Sequence, residues 1–61
     1  MKLPGQITMR VLLTDGAIID INVPDTINPQ AIPAMILTGT DEHGETMWAS
    51  GRYAVRWWVG P

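Results

Sequence analysis

The chain of 61 residues contains no cysteine and no phenylalanine, and it has a single histidine. The absence of cysteine excludes disulfides and thiolate metal sites, and His43 alone gives almost no basis for a zinc site. Ser50 is the sole serine and has no base suited to activate it. No glycine-rich phosphate loop and no GxSxG nucleophile motif is present. The sequence therefore predicts no catalytic residue, no metal and no cofactor, and we expect that the protein is not an enzyme.

Charge and long apolar runs are also scarce. Four basic residues stand against six carboxylates, for a formal net charge of −2. A duplex nucleic-acid-binding domain is usually clearly basic, so this balance disfavours nucleic acid as a partner. No apolar run approaches the roughly 20 residues of a membrane span. The beginning, MKLPGQ, lacks the apolar core of a signal peptide. We expect a cytoplasmic protein with no membrane partner.

The length predicts one domain, residues 1–61, of marginal stability. A domain of this size buries only about 60% of the surface that its unfolded chain exposes. Disulfides and metals are the usual remedies, and this composition offers neither. The hydrophobic content of 46% is high for so short a chain. We therefore expect a homodimer or higher oligomer.

Two segments near the beginning alternate apolar and polar residues, which indicates half-buried β-strands. They are QITMRVLLT and AIIDINV, separated by Thr14-Asp15-Gly16. A three-residue loop, 14–16, pairs Val11 with Ile19 and Arg10 with Asp20, and keeps each face uniform. Leu12 and Ile18 then face each other on the outer side. They are the predicted self-association residues, although a folded-over corner of a barrel would also cover them.

The middle of the chain, PDTINPQAIPA, has three prolines and therefore does not fit the interior of a sheet. Asn28 before Pro29 is typical of a helix N-cap followed by proline at the first helical position. Pro33 limits any helix to about one turn. We expect one short helical turn near residues 28–32, with Ile27 and Ile32 closing one end of the core.

The second half predicts another hairpin and a last strand. A four-residue turn, 41–44, sets Leu37 opposite Trp48 and Thr38 opposite Met47. Ser50-Gly51 is interpreted as a tight turn or a bulge. As a turn, it pairs Trp48 with Tyr53 and places most of the aromatic residues in the core. From residue 52 onward, alternation predicts one inner set and one outer set: Tyr53, Val55, Trp57 and Val59 inside; Arg52, Ala54, Arg56 and Trp58 outside.

Together these patterns predict an all-β fold of four or five antiparallel strands. The strands form a small curled sheet or a half-barrel similar in shape to SH3-like or OB-like barrels, with the one short helical turn. That likeness is one of shape and implies no function.

The segment Asp41-Glu42-His43-Gly44-Glu45 brings carboxylates and a histidine close together. Its spacing matches neither an EF-hand loop nor HExxH. We interpret it as a polar hairpin turn in which Gly44 takes a positive φ.

The outer residues of the last strand are the candidate binding site: Arg52, Arg56 and Trp58, with Glu45 at the rim. Arginine and tryptophan are enriched in protein-binding hot spots. The same row could stack bases and hold phosphates, or it could be an ordinary solvated face. Of the two functional alternatives, protein docking and nucleic-acid binding, we expect protein docking.

The sequence thus predicts a non-catalytic protein-binding module. A short chain without catalytic groups fits the small phage-type or mobile-element proteins that inhibit or modulate a host protein. The alternative is a single-stranded nucleic-acid-binding barrel that uses the Arg52–Trp58 strand. A third possibility is a small-ligand binder or an enzyme with a site shared between subunits.

Overall fold

The computed structural model describes residues 4–60, which form five β-strands and two 3₁₀ helices. All five strands belong to one open antiparallel sheet with the order β4-β3-β2-β1-β5. The all-β prediction is confirmed, and the number of strands is five, the larger of the two numbers predicted. The strands are β1 (Gln6–Leu13), β2 (Ile18–Pro24), β3 (Ile36–Thr40), β4 (Thr46–Ser50) and β5 (Ala54–Val59).

The β1–β2 hairpin has the predicted register. Val11 pairs with Ile19 and Arg10 with Asp20. The Leu13 N–H donates to the Ala17 carbonyl at 2.8 Å, so the loop has three residues, 14–16. Gly16 takes a φ of +87°, which a residue with a Cβ adopts only at a cost. Alternation on both strands determined this register, because any shift by one residue would mix the two faces.

The β3–β4 hairpin departs from the prediction by one residue. Leu37 pairs with Ala49, and Thr38 with Trp48, so the predicted pairs Leu37–Trp48 and Thr38–Met47 are wrong. The cause is the loop, which has three residues and not four. Asp41 donates its N–H to the Glu45 carbonyl at 2.8 Å. Because side chains alternate along a strand, this one-residue shift moves Trp48 from the core to the outside.

The first 3₁₀ helix, Pro29–Ala34, confirms the expected helical turn and extends it through Pro33. The Asn28 side chain accepts a hydrogen bond from the Gln30 N–H at 3.0 Å, as an N-cap does. Ile32 is fully buried, and Ile27 packs against the core at partial burial. Both isoleucines therefore lie where the sequence predicted them.

The second 3₁₀ helix, Gly51–Tyr53, connects β4 to β5 and forces the sheet to curl. β5 pairs with β1 and not with β4, so of the two interpretations of Ser50-Gly51 the tight turn, with its Trp48–Tyr53 pair, is wrong. In a flat sheet, β4 and β5 would lie about 19 Å apart, at about 4.8 Å per strand. The four Cα–Cα steps from Ser50 to Ala54 span at most about 15 Å. The connection is possible because the sheet rolls its two edges toward each other.

The core lies on the concave side of this sheet and consists of aliphatic residues and one methionine. Because aliphatic side chains fill the interior, the core needs fewer tryptophan side chains than the sequence predicted. The buried residues are Met9, Val11, Leu13, Ile19, Ile21, Val23, Ile32 and Leu37.

Candidate functional site

Trp57 and Trp58 lie on opposite faces of β5, as alternation predicts. Trp57 pairs with Val11 and packs, half-buried, against the core. Trp58 pairs with Arg10 on the outer face, where 38% of it is exposed. The strand thus gives one tryptophan to the interior and one to the surface.

A bulge in β5 corrects the predicted faces of two other residues. Arg56 pairs with Leu12 but Ala54 with Leu13, so Val55 is an extra residue without a place in the ladder. Ala54 therefore turns inward and packs against the core. Val55 is 56% exposed.

Most of the aromatic residues lie outside the core, contrary to the prediction. Trp48 is 70% exposed and Tyr53 is 50% exposed. The shifted β3–β4 register moves Trp48 outward, and the second 3₁₀ helix holds Tyr53 at the surface. Val59, which was also predicted to lie inside, is exposed at the end of β5. Of the four aromatic residues, Trp57 is the one that packs against the core.

The predicted row of Arg52, Arg56 and Trp58 forms only in part. The Arg56 guanidinium lies over the Trp58 ring, 5.3 Å from its centroid. Arg52 belongs to the second 3₁₀ helix and stacks on Tyr53 at 5.4 Å. Glu45 directly follows the β3–β4 loop and makes no salt bridge with an arginine within residues 4–60. The structure therefore brings Arg56 and Trp58 together, but not Arg52 or Glu45 with them.

Two cross-strand rows place further residues beside Arg56 and Trp58. One row is Trp58–Arg10–Asp20, and the next is Arg56–Leu12–Ile18. Leu12 and Ile18 face each other as predicted and are half-buried. We call these four residues the outer patch: Leu12, Ile18, Arg56 and Trp58.

The Arg10–Asp20 ion pair borders the outer patch. Arg10 Nε donates to Asp20 Oδ1 at 2.8 Å and Nη2 donates to Oδ2 at 3.0 Å. This forked hydrogen bonding lowers the pKa of Asp20 and raises the pKa of Arg10. Because Asp20 pairs with Arg10, Arg56 is the one cation of the rows that makes no salt bridge within the described range.

A groove of about 330 Å³ lies between the β1–β2 loop and β4. The two exposed aromatic residues, Trp48 and Tyr53, contribute to its wall, and Asp15 supplies a carboxylate. Sequence reasoning missed this groove because it placed both rings in the core. The lining residues are Leu13, Thr14, Asp15, Met47, Trp48, Ala49 and Tyr53.

The polar segment 41–45 contains the three-residue loop of the second hairpin, 42–44, and the residue on each side of it. Asp41 Oδ1 accepts the N–H groups of His43 at 2.8 Å and Glu45 at 2.9 Å. Gly44 has the predicted positive φ, +80°. Residues 4–60 contain no group of three or more histidines and carboxylates placed to hold a metal ion. No helix in that range has the length and apolar character needed to cross a membrane.

Comparison with protein-family models, curated proteins and solved structures gives no match to this chain.

Proposed function

We propose that the protein is a non-catalytic binding module that docks a partner protein through the outer patch. The stacked Arg56–Trp58 pair is the observation that carries this proposal. Tryptophan and arginine are the residue types most enriched among energetically dominant interface contacts. The stack holds both side chains in place before binding, so less conformational entropy is lost in a complex.

Leu12 and Ile18 support a protein partner because they extend the patch with aliphatic surface next to Arg56. An apolar centre with a polar rim is the usual composition of a protein interface. The Arg10–Asp20 pair, directly beside Trp58, supplies part of such a rim.

The charges of the patch favour a protein over a single-stranded nucleic acid. A nucleic-acid groove follows the phosphate backbone with several cations and a series of stacking rings. Here Arg10 is paired with Asp20 and Arg52 stacks on a different ring, Tyr53. One unpaired arginine and one tryptophan suit a compact protein contact better than a strand of phosphates.

We further propose that the module acts in the cytoplasm as an inhibitor or modulator of a host protein, in the manner of small phage or mobile-element proteins. The absence of cysteine supports a reducing compartment. We also propose self-association through Leu12 and Ile18, because the small core of residues 4–60 contains only eight buried hydrophobic residues. Since both residues belong to the outer patch, self-association and partner docking compete for this surface.

Affinity capture with matched baits tests the docking proposal. Immobilised wild type, Trp58→Ala and Ile36→Ala are exposed to the same lysate. Ile36 is 65% exposed and lies on β3, away from the outer patch, so its variant controls for the loss of any exposed apolar side chain. We expect a protein that wild type and Ile36→Ala retain and Trp58→Ala loses. Equal retention by all three baits would contradict the proposed surface.

A labelled single strand of DNA, titrated at two salt concentrations, tests the alternative. We expect no micromolar binding at physiological salt. Micromolar binding that falls steeply with salt and disappears in the Arg52→Ala, Arg56→Ala double variant would replace the protein-docking proposal with nucleic-acid binding.

A further inference from the structure

The outer edge of β5 is a second candidate site, adjacent to the outer patch. β5 is the last strand in the order of the sheet, so no strand within residues 4–60 pairs with this edge. We propose that an acidic, extended segment of the partner protein adds to this edge as an additional strand, antiparallel to β5. The inference rests on the docking proposal, and it adds the conformation and the charge of the segment that docks.

The register with β1 determines which backbone groups of β5 point toward this edge. The Gly60 N–H donates to the Thr8 carbonyl at 2.8 Å, so these two residues form a hydrogen-bonded pair. Such pairs alternate with non-hydrogen-bonded pairs along an antiparallel ladder, so Trp58, two residues earlier, also bonds to β1. Its neighbours Trp57 and Val59 direct their N–H and C=O groups away from β1. Each of them therefore offers one donor and one acceptor to an added strand.

The side chains beside these backbone groups are open to a ligand. Val59 is 64% exposed and Trp58 is 38% exposed. Residues of the added strand opposite Arg56 and Trp58 form non-hydrogen-bonded pairs, in which side chains come closest and Cα atoms lie about 4.5 Å apart. The outer face of the added strand therefore contacts the stacked Arg56–Trp58 pair directly.

The bulge at Val55 marks one end of the open edge. A bulge bends its strand and interrupts regular pairing. The part of the edge that accepts a strand is therefore residues 56–59. Because so short a ladder supplies few hydrogen bonds, the side chains opposite Arg56 and Trp58 must supply much of the affinity and the specificity.

Charge selects an acidic segment for this edge. The sequence after Glu45 contains two arginines, Arg52 and Arg56, and no aspartate or glutamate. Neither arginine makes a salt bridge within the described part of the chain. The other edge strand, β4, begins directly after the acidic segment 41–45. A carboxylate is therefore favoured at β5 and disfavoured at β4, and its best position is opposite Arg56.

Antiparallel pairing specifies the order of residues in the docking segment. The residue opposite Trp58 precedes the residue opposite Arg56 by two positions, so both lie on the outer face. An apolar side chain suits the exposed surface of Trp58, and a glutamate suits the Arg56 guanidinium. The expected pattern is an apolar residue, any residue and an acidic residue, in that order.

The experiment is a titration of the isotope-labelled protein with the peptide acetyl-Thr-Val-Ile-Thr-Glu-Thr-amide at low salt. We expect saturable shifts of the backbone amide resonances with a dissociation constant on the order of 1 mM. The amide hydrogens of Trp57 and Val59 should exchange about fivefold more slowly when most of the protein is bound. Those of Arg56 and Trp58, which already bond to β1, should change little.

Three modified peptides separate strand addition from other modes of binding. N-methylation of the threonine between isoleucine and glutamate removes the N–H that donates to the Trp57 carbonyl, so it should weaken binding about tenfold or more. N-methylation of the isoleucine is the matched control. Its N–H points away from β5, so affinity should stay within about twofold. Lysine in place of glutamate should weaken binding about tenfold.

Charge exchange tests the position opposite Arg56. Arg56→Glu should reverse the preference, so that the lysine peptide binds better than the glutamate peptide. Arg52→Glu makes the same change of net charge on the second 3₁₀ helix, outside the strand, and should keep the preference for glutamate.

A proline at position 59 tests the backbone of the edge. Val59→Pro removes an N–H of the open edge without removing a bond to β1, so it should weaken binding of the glutamate peptide about tenfold. Val59→Thr is the matched control, because it keeps the N–H, and its affinity should stay within about threefold of wild type.

Absence of saturable shifts, equal effects of the two N-methyl groups, or an unchanged preference in Arg56→Glu would overturn the proposal. Slow exchange of Trp57 and Val59 in the protein alone, increasing with protein concentration, would assign the edge to a second copy instead. A captured partner that Trp58→Ala loses and Val59→Pro retains would leave docking on the outer patch standing without strand addition. A captured partner that both variants retain would contradict docking itself.

Discussion

Neighbouring residues Trp57 and Trp58 have separate structural roles. Trp57 packs against the core next to Val11, so Trp57→Ala should leave a cavity and lower the free energy of unfolding by about 2–4 kcal/mol. Trp58→Ala removes an outer side chain and its stack with Arg56, so the loss should stay below about 1 kcal/mol. Urea denaturation of both variants measures the difference. Equal losses would contradict the assignment of faces.

The Arg10–Asp20 pair predicts a specific dependence of stability on pH. Its hydrogen bonds hold the pKa of Asp20 below the value in the unfolded chain. A lowered folded-state pKa contributes stability that is full above the unfolded value of about 3.9 and is lost as pH falls through the folded one. Between pH 5 and pH 2, in round figures, wild type should therefore lose more stability than Asp20→Asn. Thermal melts at several pH values measure this, and parallel curves would show that the pair contributes nothing.

At the scale of elements, the two hairpin loops share one hydrogen-bonding arrangement. Gly16 donates its N–H to the Leu13 carbonyl, and Gly44 donates to the Asp41 carbonyl, each at 3.0 Å. In both loops a glycine with positive φ occupies the third loop position. The common arrangement fixes the register of both hairpins, and through it the face on which each side chain lies.

The contact between the two 3₁₀ helices predicts an intolerant glycine. The Gly51 N–H donates to the Met35 carbonyl at 2.7 Å, and a Cβ on Gly51 would overlap the Ile32 carbonyl oxygen. Gly51→Ala should therefore force the backbone apart and cost about 3 kcal/mol or more. Gly44→Ala is the matched control, because it meets open space and bears only the strain of a positive φ, about 1 kcal/mol. Denaturation in urea compares them, and similar costs would refute the close contact.

The sequence predicts the first hairpin better than the rest for a physical reason. β1 and β2 alternate over seven paired positions, so any other register would bury polar groups. In β3, Thr38-Gly39-Thr40 gives no comparable alternation, and the loop sets the register instead. The equal position of Gly16 and Gly44 in their loops was the signal that could have corrected it.

The misplaced parts of the candidate site follow from contacts that alternation does not encode. Because of the bulge at Val55, the residues of β5 that precede Arg56 lie on the faces opposite to those predicted. Arg52 and Tyr53 belong to the second 3₁₀ helix and not to the strand. Both depend on how β5 meets β1 across the curled sheet. Arg56 and Trp58 were predicted correctly on the outer face because they lie beyond the bulge, where pairing with Leu12 and Arg10 is regular.

At the scale of the whole molecule, a small core and an apolar outer patch predict self-association. Leu12→Thr with Ile18→Thr should keep strand propensity and remove the aliphatic surface. We expect wild type to sediment as a dimer or higher oligomer at micromolar concentration, and its melting temperature to rise with concentration. The double variant should sediment as a smaller species and lose that dependence. A wild type that is already monomeric under these conditions would end this proposal.

The central claim is that a partner protein docks on the outer patch. Its most direct test is the affinity of the purified captured partner for wild type and for Trp58→Ala, measured at low and at high salt. Under the docking proposal, most of the affinity of the outer patch comes from desolvated packing around Trp58. We therefore predict a loss of about 2 kcal/mol, roughly thirtyfold in the dissociation constant, that persists at high salt. Unchanged affinity in Trp58→Ala, or wild-type affinity that collapses as salt rises, would contradict the account.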